Sequence, residues 1–210
     1  FFSSVVHGGV VVGELEPHRR RVRLPSSLNN HLGELLRRGT GSDVTLVVSG
    51  ECFPAHKAVL ASRSRVFMAQ FFGHMMEKRS QRVEITDMEA AVFRAMLGFI
   101  YTDMVPELDH QNDGVNIAQH LLAAADKYDL DGLKSMCEEK LSNGGTTVET
   151  AAATLALAEQ HGCRRLKAKC LELIAANLDA VMATEGYKHL MASSPLAMND
   201  LLRAVRGRKN

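Results

Sequence analysis

The chain is 210 residues long, 46% hydrophobic and 23% charged, with a net charge of +1. Its length and apolar content support a core of one or two domains. A charge this near zero gives no general attraction to nucleic acid or to an anionic membrane. No apolar run approaches the roughly 20 residues of a membrane-spanning helix, and the first residues show no basic, apolar, small-residue leader pattern. The four cysteines, Cys52, Cys137, Cys163 and Cys170, form no CxxC pair and are expected to be buried reduced thiols in the cytoplasm or nucleus.

Residues 1–26 read as an irregular linker or the remnant of an upstream domain, with glycines breaking the valines of "HGGVVVG" and a basic "HRRRVRLPSS" patch. The chain opens on Phe1 without an initiator methionine, as a fragment would. Ser27 then caps a predicted helix with Leu28, Leu32, Leu35 and Leu36 on one stripe, ended by Gly39 and Gly41. "SDVTLVVSGECFPAH" alternates with period two and predicts a strand, a turn at 49–51 and a return strand that Pro54 ends. A short helix over 55–61 places Val59 and Leu60 inward. Ser62 or Ser64 caps the next, which carries Val66, Phe67, Phe71 and Phe72 as core-like positions.

"QRVEITDM" predicts a strand with Val83 and Ile85 on one face. Asp87 is expected to cap a broad apolar helix bearing Val92, Phe93, Met96, Leu97 and Ile100, closed by Tyr101-Thr102-Asp103. After the loop "VPELDHQNDG" come two helices, an "SNGG" break, a capping box from Thr146 to Glu149, and further helices. A repeat links these parts. "AADKYDLDGLKSMCEEKL" lies over "LAEQHGCRRLKAKCLELI" at an offset of 33, matching Leu133 to Leu166 and Cys137 to Cys170. Stacked helical hairpins follow, each burying the same seam, or else a chance likeness of two amphipathic hairpins.

Catalytic signatures are missing from the sequence: it holds no GxxxxGK[ST], no strand–GxGxxG–helix, no HExxH and no GxSxG. Its nine histidines do not cluster, so no metal or cofactor site is expected. His56 and Lys57 allow two readings. A catalytic histidine would need an orienting carboxylate, which Asp43 could supply. Otherwise His56 bonds within the fold and Asp43 pins the first strand to the short helix, with the Lys57 stem on apolar surface. Met75 and Met76 beside Glu77 suit a partner contact, an apolar anchor beside an orienting carboxylate, as well as they suit core packing. The Leu28/Leu32/Leu35 stripe either packs internally or meets a second copy.

At these residues the sequence resembles the BTB/POZ domain. "GSDVTLVVSGECFPAHKAVLASRSRVF", "VEITDMEAAVFRAMLGFIYTD" and "LLAAADKYDLDGLKSMCEEKL" carry the likeness, and "ATLALAEQHGCRRLK" is similar to the BACK-like helices of MATH-BTB proteins typified by the speckle-type POZ protein. The resemblance implies an α+β fold, with a short sheet flanked by helices over 27–141, an all-α BACK-like extension over 142–206, and a tail at 207–210. It assigns Asp43, His56 and Lys57 to a structural signature. It implies a dimer interface at Leu28, Leu32, Leu35 and Val59, formed with itself or another BTB protein. It further implies a cullin-3 contact at Met75, Met76, Glu77 and Tyr101, which the helices after Leu141 extend. Arg65 and Ala90 stand where the family favours proline, a small expected loss of stability.

Residues 1–26 are too short for the family's substrate-reading MATH domain, which leaves a fragment, a degenerate copy or a partner of full-length relatives. Substrate binding would then come through a missing or partner-supplied domain. The resemblance implies a non-enzymatic adaptor of a cullin-based ubiquitin ligase that needs no cofactor, nucleic acid or membrane. The alternatives are an oligomerisation scaffold such as a co-repressor platform, for which zinc-finger Cys/His pairs are lacking, and an enzyme of unknown type.

Overall fold

The fold is described from a computed structural model, which describes residues 27–73, 81–110 and 112–207. The expected linker over 1–26 and the residues 74–80 lie outside that range. Three strands form one small sheet in the order β2-β1-β3. β1 (Val44–Val48) and β2 (Glu51–Ala55) make an antiparallel hairpin, and β3 (Arg82–Ile85) pairs parallel to β1. β2 does not stop at Pro54, as the sequence reading expected, but runs through it to Ala55. Thr45, opposite Pro54, sends its N–H to the Gln81 carbonyl on the far side (2.7 Å), so the proline sits on an edge strand at a position where no donor is required.

Helices enclose the sheet in chain order: α1 (Ser27–Arg38), α2 (Lys57–Arg63), α3 (Arg65–Phe72) and α4 (Ala90–Thr102). α4 buries nine of its 13 residues, among them Phe93, Met96 and Ile100, and is the axis of the core. α1 crosses close to its C-terminal end. A Cβ on Gly33 would lie 2.9 Å from Thr102 Cγ2, so this crossing needs a glycine. Asp87 is not the cap of α4. The N-cap position falls on Glu89, which makes no capping bond, while the Asp87 carboxylate pairs with Lys127.

Ser64 is the cap of α3. Its hydroxyl is 1% exposed, accepts the Phe67 N–H at 3.2 Å and donates to the Tyr128 carbonyl at 2.6 Å, tying α3 to the distant α5. Of the four thiols expected to be buried, Cys52 is exposed, because strand alternation turns Phe53 and Ala55 inward and Cys52 outward.

The second half is helical. A 3-10 turn (Pro106–Asp109) falls inside the expected loop. It leads to α5 (Asn112–Lys127), α6 (Asp131–Lys140), α7 (Ala151–Gln160), α8 (Arg164–Ala176), α9 (Leu178–Met182), α10 (Glu185–Ser193) and α11 (Pro195–Gly207). The expected capping box at Thr146 is absent. Thr146 donates its hydroxyl to the Leu141 carbonyl, and α7 starts only after Thr150, whose Oγ accepts the Thr147 N–H at 2.9 Å.

The offset-33 repeat extends to the backbone of the turns. Leu130 N–H reaches the Ala125 carbonyl at 2.8 Å, and Cys163 N–H reaches that of Ala158 at 2.8 Å. Each turn passes through a left-handed residue, Asp129 (φ 57°) and Gly162 (φ 67°), as a helix C-terminus of this type demands. The ion pairs repeat too: Lys134 with Asp126, and Lys167 with Glu159. Leu133, Leu166, Cys137 and Cys170 are all at most 1% exposed. The hairpins therefore stack through one seam.

Cross-links bind the hairpins together. His161 Nδ1 meets Asp126 at 2.9 Å, the Leu166 N–H donates to Glu138 at 3.2 Å, and Lys167 reaches Asp200 of α11 at 2.7 Å. Removal of the Ser64 hydroxyl deletes a cap and a buried long-range bond together. Ser64→Ala is expected to cost about 1–3 kcal/mol in urea unfolding, with the slope unchanged.

Candidate functional site

Asp43, His56 and Lys57 meet at the corner between β2 and α2. Asp43 Oδ1 accepts the Lys57 N–H at 2.8 Å, so the residue before β1 supplies the N-terminal capping contact of α2. Both ring nitrogens of His56 are engaged. Nε2 lies 2.9 Å from the Thr40 carbonyl, which can only accept, so Nε2 carries the proton and Nδ1 accepts from the Tyr101 hydroxyl, also at 2.9 Å. The Tyr101 oxygen in turn accepts the His56 N–H at 2.9 Å. No ring nitrogen remains to take a proton from a substrate. The Lys57 amine lies 5.6 Å from the centroid of the Phe71 ring. This cluster holds a corner of the fold.

The expectation for Tyr101 is corrected by this geometry. Its side chain is 1% exposed and is spent inside the chain, so it offers no surface to a partner. Burial pushes its pKa from 10.0 up to about 12, and does the same for Tyr128. The thiols of Cys137 and Cys170 are likewise pushed by burial to about 12, which leaves them as inert core groups. Among the described residues, no group of three or more His, Cys, Asp or Glu side chains is placed to hold a metal ion.

What the molecule offers instead is apolar surface. The α1 stripe divides: Leu32 and Leu36 pack against the core, Leu35 is half-buried, and Leu28 is 61% exposed. Val59 on α2 is half-buried. α3 carries a second exposed apolar face. Phe67 and Phe71 point inward at 0% and 1%, whereas Met68 and Phe72 are 46% and 52% exposed. Phe72 is therefore not core, contrary to the sequence reading. It stands one residue, about 100° of helical turn, beyond Phe71, and only its i−4 neighbour Met68 could have signalled a separate stripe. On another side of α3 an open groove of about 660 Å³ runs between α3, β3 and the end of α5, with Val66, Ala69, Ile85 and Tyr128 among its lining and Arg65, Glu84, Asp87, Lys127 and Asp129 as its charged residues. Met75, Met76 and Glu77 lie outside the described residues.

Comparison with known proteins names the class. The BTB/POZ domain model matches residues 32–145, more than half of the chain, and the chain belongs to the BTB/POZ family. The BACK domain model of the BPM/SPOP type matches residues 150–202. Among curated relatives, BTB/POZ and MATH domain-containing protein 3 of Arabidopsis thaliana is 46% identical over 94% of this chain and 50% of its own length. BTB/POZ and MATH domain-containing protein 4 of the same plant is 39% identical over 95% of this chain and 45% of its own length. The chain thus spans about half the length of the relatives it matches. Among solved structures, the BTB domain of zebrafish PATZ1 aligns with a TM-score of 0.46 at 27% identity, over 55% of this chain and 89% of its own.

The Tyr101 hydroxyl stays neutral in the fold until about pH 12 but ionises near 10.0 once unfolded. A pKa raised by folding gives stability that is full below the unfolded value and lost as pH rises through the folded one. Unfolding followed from pH 9 to 12 should therefore show stability falling above pH 10. Tyr101→Phe should lessen that fall, leaving the share that Tyr128 contributes, while lowering stability at pH 7 by about 1–3 kcal/mol.

Proposed function

We propose that this chain is an adaptor subunit of a cullin-3-type ubiquitin ligase, working in the cytoplasm or nucleus and performing no covalent chemistry itself. The observation that carries the proposal is the pairing of a BTB/POZ unit with a BACK unit of the BPM/SPOP type in one continuous core. The site geometry favours the same reading. The histidine that could have been catalytic is locked by the fold, and the exposed features are apolar helix faces.

In this reading Leu28 and Leu35, with Val59 beside them, meet the same patch of a second BTB chain, a two-fold self-complementary contact. Met75, Met76 and Glu77 form the cullin contact, the methionines supplying burial and the carboxylate supplying orientation. The helices after Leu141 extend it. Substrate is held by a domain of the full-length protein or of a paired relative. Two adaptors in one assembly raise the effective concentration of substrate near the ligase.

Retention on an immobilised N-terminal region of cullin-3 checks the contact. The wild-type chain is retained, and Met75→Asp and Glu77→Lys are lost. Equal retention of all three removes these residues from the site. Light scattering checks the other face. The wild type runs at twice the 23.0 kDa of one chain, and Leu28→Asp with Leu35→Asp shifts it to a single chain that keeps its helical circular-dichroism signal. An unchanged mass would show that the pair does not hold the dimer.

A further inference from the structure

We propose that the free edge of β3 is a strand-addition site, which takes an extended segment of a partner protein as a fourth strand of the sheet. It is separate from the cullin contact and from the α1 face, and it goes beyond the adaptor reading.

β3 is an outer strand, paired with β1 on one side only. The register shows which backbone groups that pairing uses. The Thr45 N–H reaches the Gln81 carbonyl at 2.7 Å. Backbone groups alternate in direction along a strand, so Val83 and Ile85 follow Gln81 in bonding toward β1, while the N–H and C=O of Glu84 point away from it. Among the described residues, no other strand, turn or cap bonds those two groups. An unpaired donor and acceptor on one residue of an edge are the template that an added strand completes.

The edge lies in the groove of about 660 Å³ that α3 and the end of α5 wall. Glu84, Ile85 and Thr86 line it along β3, and Val66 and Ala69 line it from α3. Val83 and Ile85 are buried, whereas Glu84 between them is exposed. A strand laid here alternates in the same way. Its inward side chains meet Val66, Ala69 and Tyr128, and its outward ones stand beside Glu84. Ala69 carries only a methyl group, which leaves room for a backbone to approach. Four of the five charged residues of the groove are already paired, Arg65 with Asp129 and Lys127 with Asp87. Among the described residues, that leaves the Glu84 carboxylate without an ion pair. The occupant is therefore an extended segment that alternates apolar residues with lysine or arginine, the basic ones across from Glu84.

The recess decides between a partner and a second copy. Two copies meeting edge to edge would need both β3 edges to stand clear of their own helices, and α3 walls each one off. A single extended strand enters where another folded sheet does not. A helix would leave Glu84 unpaired, because its own N–H and C=O groups are spent internally.

The test is fluorescence anisotropy of the full chain with a labelled peptide of alternating lysine and valine. Beside it are run the same peptide N-methylated throughout and a peptide of alternating glutamate and valine. Ala69→Phe narrows the groove and Glu84→Lys reverses its free charge. Both positions are exposed, and both variants are expected to melt as the wild type does. The wild type is expected to bind the lysine peptide and to protect the Glu84 N–H from hydrogen exchange. Binding weakens roughly tenfold or more for the N-methylated peptide and for Ala69→Phe, and Glu84→Lys prefers the glutamate peptide. No binding of the lysine peptide, N-methylated binding within about twofold of it, or a Glu84 N–H that exchanges equally fast in both states each overturns the proposal. A free chain whose mass falls on Ala69→Phe would give the edge to a second copy, which also overturns it. Retention on cullin-3 is expected to be unchanged in both variants, and its loss would assign the groove to the cullin contact instead.

Discussion

The structure depends on the near-complete burial of α4. A helix hidden on almost every side must be covered by something on each, and the sheet, α1 and α5 supply that cover. Its C-terminal residues then become fixed points. Gly33 admits α1 against Thr102, the Arg63–Asp103 ion pair ties in α2, and the Tyr101 hydroxyl gathers His56 from both backbone and ring. The polar signature of the sequence serves this one apolar helix. That is why a histidine flanked by a lysine, with a carboxylate near, is engaged here in holding a corner of the fold.

The second half extends the same logic by repetition. One hairpin cannot bury its apolar face alone, so a second of the same pattern is laid against it and a third, α10 with α11, against that. The repeated Leu, Cys and Lys positions keep the seam in register, and His161 to Asp126 and Leu166 to Glu138 cross it. The two family regions meet at residues 145–150. Gly145 is itself buried, and the core runs from β1 to α11 without a break.

What could be read in the sequence was what periodicity encodes. The alternation of β1, the stripe of α4 and the offset-33 repeat are each set by burial, and burial leaves a pattern. What escaped was set by geometry across the fold. Pro54 is tolerated because the Thr45 N–H turns toward β3, which no local pattern reveals. Asp87 and the Thr146 segment have capping residue types, but Asp87 is drawn to Lys127 and Thr146 to the Leu141 carbonyl. Phe72 was grouped with Phe71 by hydrophobicity, although one helical step separates the inward from the outward face. The resemblance implies Tyr101 as a cullin contact, whereas its bond to His56, 45 residues away, and its burial hold it inside the chain.

The account holds that this protein acts by bringing macromolecules together through apolar helix faces. Light scattering on a chromatographed mixture of the full chain with the cullin-3 N-terminal region measures this directly. The account predicts a single peak whose mass equals two adaptor chains plus two cullin fragments. A peak at one adaptor chain, beside a separate peak of free cullin at high concentration, would contradict it.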